Sequence, residues 1–245
     1  MVEVKGNIVK NAKIVKEPLY LSMLYPLIYH NKRVYRFLDD DRIQAVLSLG
    51  FKKKIIDDML EDINTNSSVL QIGCTFGSQM QKTADKIGRY GSYVITDVSS
   101  EQLDRAREQL IDKKIDFEMH DARKPFSKKY DTVICFMMLH ELPEVSRKKV
   151  INNALDAVKQ GGKVIFADYN KPSEWNVLRF VLKPFNRLFF PFVEKLWENP
   201  IKNYAGKNEH FSWDKKTYGA RMFQKVVAVR QVSDEKKPEA KPSFY

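Results

Sequence analysis

Residues 69–78 read VLQIGCTFGS, and this stretch decides the fold. Two apolar residues, a polar one, a further apolar one and then glycines describe a buried parallel strand that runs into a tight turn before a helix. Such a turn suits a nucleotide-like ligand. A side chain there would block the backbone's approach to the ligand, and a positive φ is open to glycine at little cost. Gly73 and Gly77 supply two such places.

Outward from the turn, strand and helix alternate. Gln79 to Ile87 can form a helix, and Gly91 to Val98 reads as a second strand ending in an acid. Asp97 lies 20 residues past Gly77, the usual distance for a carboxylate that accepts hydrogen bonds from a ribose. It can equally open the helix that follows. A helix over Glu101 to Ile111, a short strand at Asp116 to Met119 and the pair Asp121-Ala122 come next. The strand Tyr130 to Leu139 runs into His140 and Glu141. Lys148 to Val158 reads as helix, the glycines at 161 and 162 stop it, and Lys163 to Tyr169 is a fifth strand. This order predicts an α/β fold, a doubly wound and mainly parallel sheet with ligands at the carboxyl ends of its strands.

The chain has 245 residues and a formal charge of +11. That length suits one α/β domain with decorations, expected over 19–232 with a flexible arm at 1–18 and a disordered, charged tail at 233–245. The positive charge favours anionic membrane surfaces, nucleic acid or acidic ligands, or serves solubility alone. Cys74 and Cys135 sit in apolar strand-like settings, too few for a disulfide framework, and predict a reducing compartment. No window reaches the ~18 apolar residues of a membrane span, and the N-terminus lacks a signal peptide's apolar run.

Before the first strand, apolar residues recur at helical spacing and predict two or three helices over 20–62. The tyrosines there, Tyr25 and Tyr29 among them, either pack at the rim or belong to a lid over the ligand turn. Asp39, Asp40 and Asp41 read as a helix-capping cluster rather than a metal site. At the other end, residues 216–231 predict antiparallel strands that close the sheet.

Over residues 66–170 the order of motifs resembles the class I S-adenosylmethionine-dependent methyltransferases. That resemblance implies that Gly73 and Gly77 approach the methionine part of the donor, Asp97 holds the ribose, and Asp121 with Ala122 borders the adenine. A nicotinamide turn would need G-x-G-x-x-G, and Thr75 and Ser78 occupy two of its glycine positions. The chain departs from the methyltransferase pattern at Gln71, where an acid is usual, and at Thr75, where glycine is usual. With LHELPE at 139–144, ADYNKP at 167–172, TYGARMFQKVV at 217–227 and the pair Tyr25 and Tyr29, Gln71 resembles the rhodoquinone-biosynthesis enzymes.

That narrower resemblance implies conversion of ubiquinone to rhodoquinone, with a ring methoxy replaced by an amino group from S-adenosylmethionine and Mn2+ as helper. It makes Tyr25 and Gln71 donor-binding residues. An amine reacts only when deprotonated, and an adjacent carboxylate raises an ammonium pKa, which neutral Gln71 would not do. The alternatives are a quinone or small-molecule O- or C-methyltransferase, RNA methylation as a minor option, and a fold that binds without turnover.

For catalysis the candidates are His140, Glu141 and Tyr169, where strands four and five open onto the acceptor; a base, a metal ligand and a purely structural role all remain open for the pair 140–141. Asp121, Glu141 and Asp168 offer the oxygen atoms manganese favours, but no ligand spacing identifies a site.

Residues 173–200 hold the other stretch with physical content. Leu178, Leu182, Phe185 and Phe189 share one side, Arg179, Lys183 and Arg187 lie elsewhere, and Pro184 and Pro191 break the helix. The pattern fits an interfacial membrane helix or an insertion packed on the sheet. A ubiquinone-type lipid substrate favours the membrane surface, hence a peripheral place on the cytoplasmic face of an inner membrane, or the matrix side in a mitochondrion. Nucleic acid is not expected, since no aromatic-basic recognition motif accompanies the charge.

Overall fold

In the computed structural model, which describes residues 32–174 and 192–232, the stretch that opens the sequence reading is strand and turn at the centre of a sheet. Strand β1, Ser68–Ile72, is flanked on one side by β2, Ser92–Asp97, and β3, Asp116–Met119. On its other side lie β4, Tyr130–Phe136, then β5, Val158–Tyr169. Strand β7, Phe223–Arg230, pairs antiparallel with β5, and β6, Phe211–Tyr218, pairs antiparallel with β7 at the edge. The remaining pairs are parallel. The strand order reverses between β1 and β4, and a ligand crevice belongs outside the carboxyl ends of the strands at that point.

Helices cover both faces. Among the described residues three precede the sheet: α1, Lys32–Asp39; α2, Asp41–Leu47; and α3, Phe51–Glu61. They are followed by α4, Gln79–Ile87; α5, Ser100–Gln109; α6, Glu144–Asp156; and α7, Val193–Glu198. Alternation along the strands divides the core. Leu70, Val133, Val164 and Phe166 pack with α6 on one face. Val69, Ile95, Ile134 and Ile165 pack with α3, α4 and α5 on the other. Both faces are dry, which is why these strands carry near-continuous apolar runs.

Several boundaries differ from the sequence reading, each for a physical reason. Strand four ends at Phe136 rather than Leu139, because Met137 takes a φ of +50° and turns the chain. Leu139–Glu141 is then one turn of 3-10 helix. Helix α6 begins at Glu144, directly after Pro143, which cannot donate a ladder bond but suits the position before a helix. Gly161 and Gly162 do not separate helix from strand: β5 runs through them from Val158, with a register shift against β4. There an added Cβ at Gly162 would stand 2.7 Å from the Asp131 carbonyl oxygen. Ser99, not Asp97, caps α5, its hydroxyl accepting from the Gln102 amide.

Among Asp39, Asp40 and Asp41 only Asp40 is an N-cap, accepting from the Arg42 amide. Its two neighbours serve the glycine turn. Tyr25, the arm at 1–18, residues 175–191 of the amphipathic stretch and the tail at 233–245 lie outside the described residues.

Candidate active site

A cavity of about 360 Å³ opens at the carboxyl ends of β1, β2, β4 and β5. That volume lies in the range of small-molecule sites. Its walls join the two groups of candidates: Gly73, Asp97, Asp121 and Ala122 on one side, His140, Glu141 and Tyr169 on the other. Leu38, Leu47, Lys52 and Ile55 from the N-terminal helices roof it.

The glycine turn is held open from several directions. Gly73 has a φ of +83°, and a Cβ there would stand 2.9 Å from the Met138 sulfur. Gly77 has a φ of +75°, but its added Cβ would strike Asp41 Oδ1 at 2.8 Å. Gly77 does not line the cavity, so its smallness serves contact with the N-terminal helices rather than with a ligand. The Gly77 amide donates to Asp39 Oδ1 and the Ser78 amide to Asp41 Oδ1, at 3.2 and 3.0 Å. Arg105, buried on α5, donates to Asp39 at 2.6 Å and to the Thr75 carbonyl at 2.9 Å, with its guanidinium over the Phe76 ring.

Lys52 completes this clamp. Its ammonium donates to the Phe76 carbonyl at 2.7 Å and to Gln44 Oε1. Burial brings its pKa down to about 8, with Asp41 and Asp39 opposing only in part.

Asp97 ends β2 as expected and faces the cavity. One carboxylate oxygen accepts from the Cys74 amide at 2.8 Å and the other from the Ser99 amide at 2.9 Å. The Cys74 thiol also bonds the carboxylate, whose remaining lone-pair capacity is open to hydroxyl donors of a ligand. Burial raises its pKa, against the pull of those two amides and of Arg105. Asp121 is gripped by the Arg123 side chain and amide. Burial pushes its carboxyl up, and the Arg123 bonds outweigh that and hold it below the ordinary value.

Gln71 takes a different place from the one expected. It is fully buried, absent from the cavity wall, on the strand face that carries Val69. Its amide nitrogen donates to the Gly73 carbonyl at 3.2 Å, while its oxygen accepts from Gln79 and the Tyr93 hydroxyl. Gln79 in turn accepts from Thr75 and donates to Thr83. Gln71 therefore braces the glycine turn from beneath, as part of a polar network inside the sheet's packing.

At the other end of the cavity His140 is buried, and its Nδ1 lies 2.8 Å from Asp168 Oδ1. Asp168 is itself fixed by backbone amides. Oδ2 accepts from Met138, Leu139 and more weakly His140, and Oδ1 accepts from Tyr169. With a proton on Nδ1 shared toward Asp168, Nε2 is the ring nitrogen able to take up a proton, and it lies 3.9 Å from Glu141 Oε1. Burial lowers the histidine pKa, but the Asp168 charge and hydrogen bond, with Glu141, prevail and raise it. The Tyr169 ring meets the imidazole edge-on at 4.7 Å and packs on Phe223 at 5.3 Å.

Arg147, completely buried on α6, donates to the carbonyls of Leu139, Leu142 and Phe192 and so pins the turn that carries His140. Nothing local in sequence announces it: its partners reach from residue 139 to residue 204.

Manganese does not fit the described residues. No group of three metal-ligating side chains is present among them. The Asp168 oxygens face backbone amides and His140, and Asp121 faces Arg123.

Residues 69–162 match the family model described as a methyltransferase domain. The chain is 25% identical over 183 residues to the ubiquinone/menaquinone biosynthesis C-methyltransferase UbiE of Pseudomonas fluorescens, covering 72% of this chain and 70% of that one. Against UbiE of Methylococcus capsulatus it is 26% identical over 173 residues, covering 67% and 68%. Among solved structures, an O-methyltransferase family protein from Burkholderia thailandensis superposes with a TM-score of 0.63 at 13% identity, over 87% of this chain and 64% of that one. The N-methyltransferase NodS of Bradyrhizobium japonicum, in complex with S-adenosyl-L-homocysteine, gives 0.57 at 12% identity, over 86% and 98%. The fold is the Rossmann-like methyltransferase fold, and the match to the methyltransferase family model runs from the strand before the glycine turn to the glycines of β5.

Proposed function

We propose that the protein is an S-adenosylmethionine-dependent methyltransferase acting on a quinone-type aromatic ring. The observation that carries the proposal is the continuity of the cavity. A glycine turn and two carboxylates stand at one end, a buried histidine–aspartate pair at the other, and aromatic and thioether side chains lie between. The comparisons support the donor and the quinone class: the UbiE proteins are named for ubiquinone and menaquinone biosynthesis, and the NodS structure holds the demethylated donor.

The residues present fit the donor. Asp97 keeps acceptor capacity for paired hydroxyls, Gly73 leaves room at the turn, and Asp121 with Ala122 borders the same wall. Bound S-adenosylmethionine would supply a methyl made electrophilic by its sulfonium. The protein's task is then to make the acceptor nucleophilic and dry. Neutral His140, its Nδ1–H held by Asp168, takes the phenolic proton of a hydroquinone ring at Nε2. The oxygen or ring carbon so activated would be the nucleophile toward the methyl that the bound donor supplies, the donor leaving as its thioether; for attack through carbon, the ring proton at that carbon would then leave to restore the aromatic ring. Tyr169, Phe223 and Met138 form an apolar seat for the ring.

Amino transfer to ubiquinone is the second reading, favoured by the neutral Gln71 beneath the glycine turn. Its enclosure away from the cavity takes away the direct contact with the donor's amino group on which that reading relied. Mass spectrometry of short-chain quinone products decides between the two. With a demethylated quinol and S-adenosylmethionine, a product heavier by one methyl supports methyl transfer. A lighter product from ubiquinone, with amine in place of methoxy, would overturn it.

A lipid substrate places the protein at a bilayer surface. The charge of +11 and the exposed Phe37, Val46 and Leu49 near the roof helices support this. No helix among the described residues is long and apolar enough to cross a membrane. Sedimentation with anionic vesicles tests the placement; full recovery in the supernatant would oppose it.

A further inference from the structure

Gln102, in the first turn of α5, lines the cavity close in sequence to Asp97 and is only 2% exposed. Its oxygen accepts from Arg105 Nε at 3.0 Å, while its Nε2 has no hydrogen-bond partner among the described residues. The amide cannot be turned over to cure this. Arg105 Nε is a donor only, so the reversed amide would set two N–H groups against each other. Arg105 is itself immobilised by Asp39, the Thr75 carbonyl and the Phe76 ring. A buried amide N–H2 held in one orientation without an acceptor is costly to the ligand-free protein.

We infer that the Gln102 amide N–H2 is a hydrogen-bond donor to the nucleoside-like end of the bound ligand, fixed in orientation by Arg105. The inference rests on the methyl-donor reading. It adds to the acceptor Asp97 a donor of opposite hydrogen-bonding sense on the same wall. Such a pair distinguishes a ligand edge that carries both a hydroxyl and a bare oxygen or ring nitrogen from one that carries donors alone. It also ties the N-terminal helices to the ligand, since Asp39 holds Arg105 and Arg105 holds Gln102.

The test is calorimetric titration of the full chain with S-adenosylhomocysteine, and separately with adenosine and with methionine, together with the melting temperature of the ligand-free protein. In Gln102→Met the packing volume is kept and the unsatisfied amide removed. The ligand-free melting temperature should hold or rise while affinity for S-adenosylhomocysteine and adenosine falls roughly tenfold, the worth of one neutral hydrogen bond. Methionine binding should not change. Gln102→Glu retains an acceptor for Arg105 but loses the donor, and should weaken the same two ligands. Affinities within twofold of the parent in both variants would overturn the inference and leave Gln102 a packing residue. Failure of the unaltered protein to bind S-adenosylhomocysteine would instead overturn the donor reading, and the inference with it.

Discussion

The two ends of the cavity are built on opposite principles. At the glycine turn the backbone is secured from outside by charged side chains of the N-terminal helices: Asp39 and Asp41 accept from Gly77 and Ser78, and Lys52 reaches the Phe76 carbonyl. At the acceptor end the support comes from within. Asp168 belongs to β5, the strand beside β4, and the buried Arg147 belongs to the helix that immediately follows the turn it pins. One end depends on a separable layer and the other on the core itself. The donor's grip should therefore loosen without disturbing the histidine, and the histidine should be removable without loosening the donor.

The sharpest break is His140→Ala. Without its base, turnover should fall by about 10²- to 10⁴-fold, while S-adenosylhomocysteine affinity by calorimetry stays near that of the parent. A parallel loss of both would mean that the two ends are one structural unit. Asp39→Ala is the converse. Removing one partner of a nearly buried ion pair costs about 3 kcal/mol or more, and Asp39 also accepts the Gly77 amide. Hydrogen exchange should speed up across α1 to α3 and donor affinity should drop more than tenfold, with the dyad's protection unchanged.

A smaller effect lies in the pH dependence. The His140 pKa is raised above its ordinary 6.5 by Asp168 and Glu141. Protonated imidazole cannot take a proton, so kcat should rise with pH along an acid limb whose midpoint lies above 6.5. Glu141→Gln removes one of the charges that raise it and should move that limb to lower pH.

The sequence made the donor end legible in outline, because glycines at a strand exit and an acid ending the next strand are local signals with one geometric meaning. The parallel sheet followed from alternation for the same reason. Gln71 stands apart from the donor contact that its neutrality suggests: alternating with Leu70 and Ile72, it shares the Val69 face, and there Gln79 and Tyr93 receive its side chain. His140 and Asp168 were each visible as strand-exit residues, but their pairing across 28 positions was not. Arg105 with Asp39, 66 residues apart, left no trace in local pattern. Contacts of that kind are decided by packing, which a chain read residue by residue does not display.

Met137 turns the chain with a φ of +50°, a conformation that a long side chain adopts at a cost of about 1 kcal/mol or more. That bend lies immediately before Met138, Leu139 and His140, whose amides all point to Asp168. The strand exit is thus spring-loaded, and glycine at 137 would release the tension. Met137→Gly gives up the side chain's packing against the core, so the melting temperature should fall, but by less than that lost packing alone implies because the bend is relieved; kcat should fall as the imidazole loses its fixed bearing.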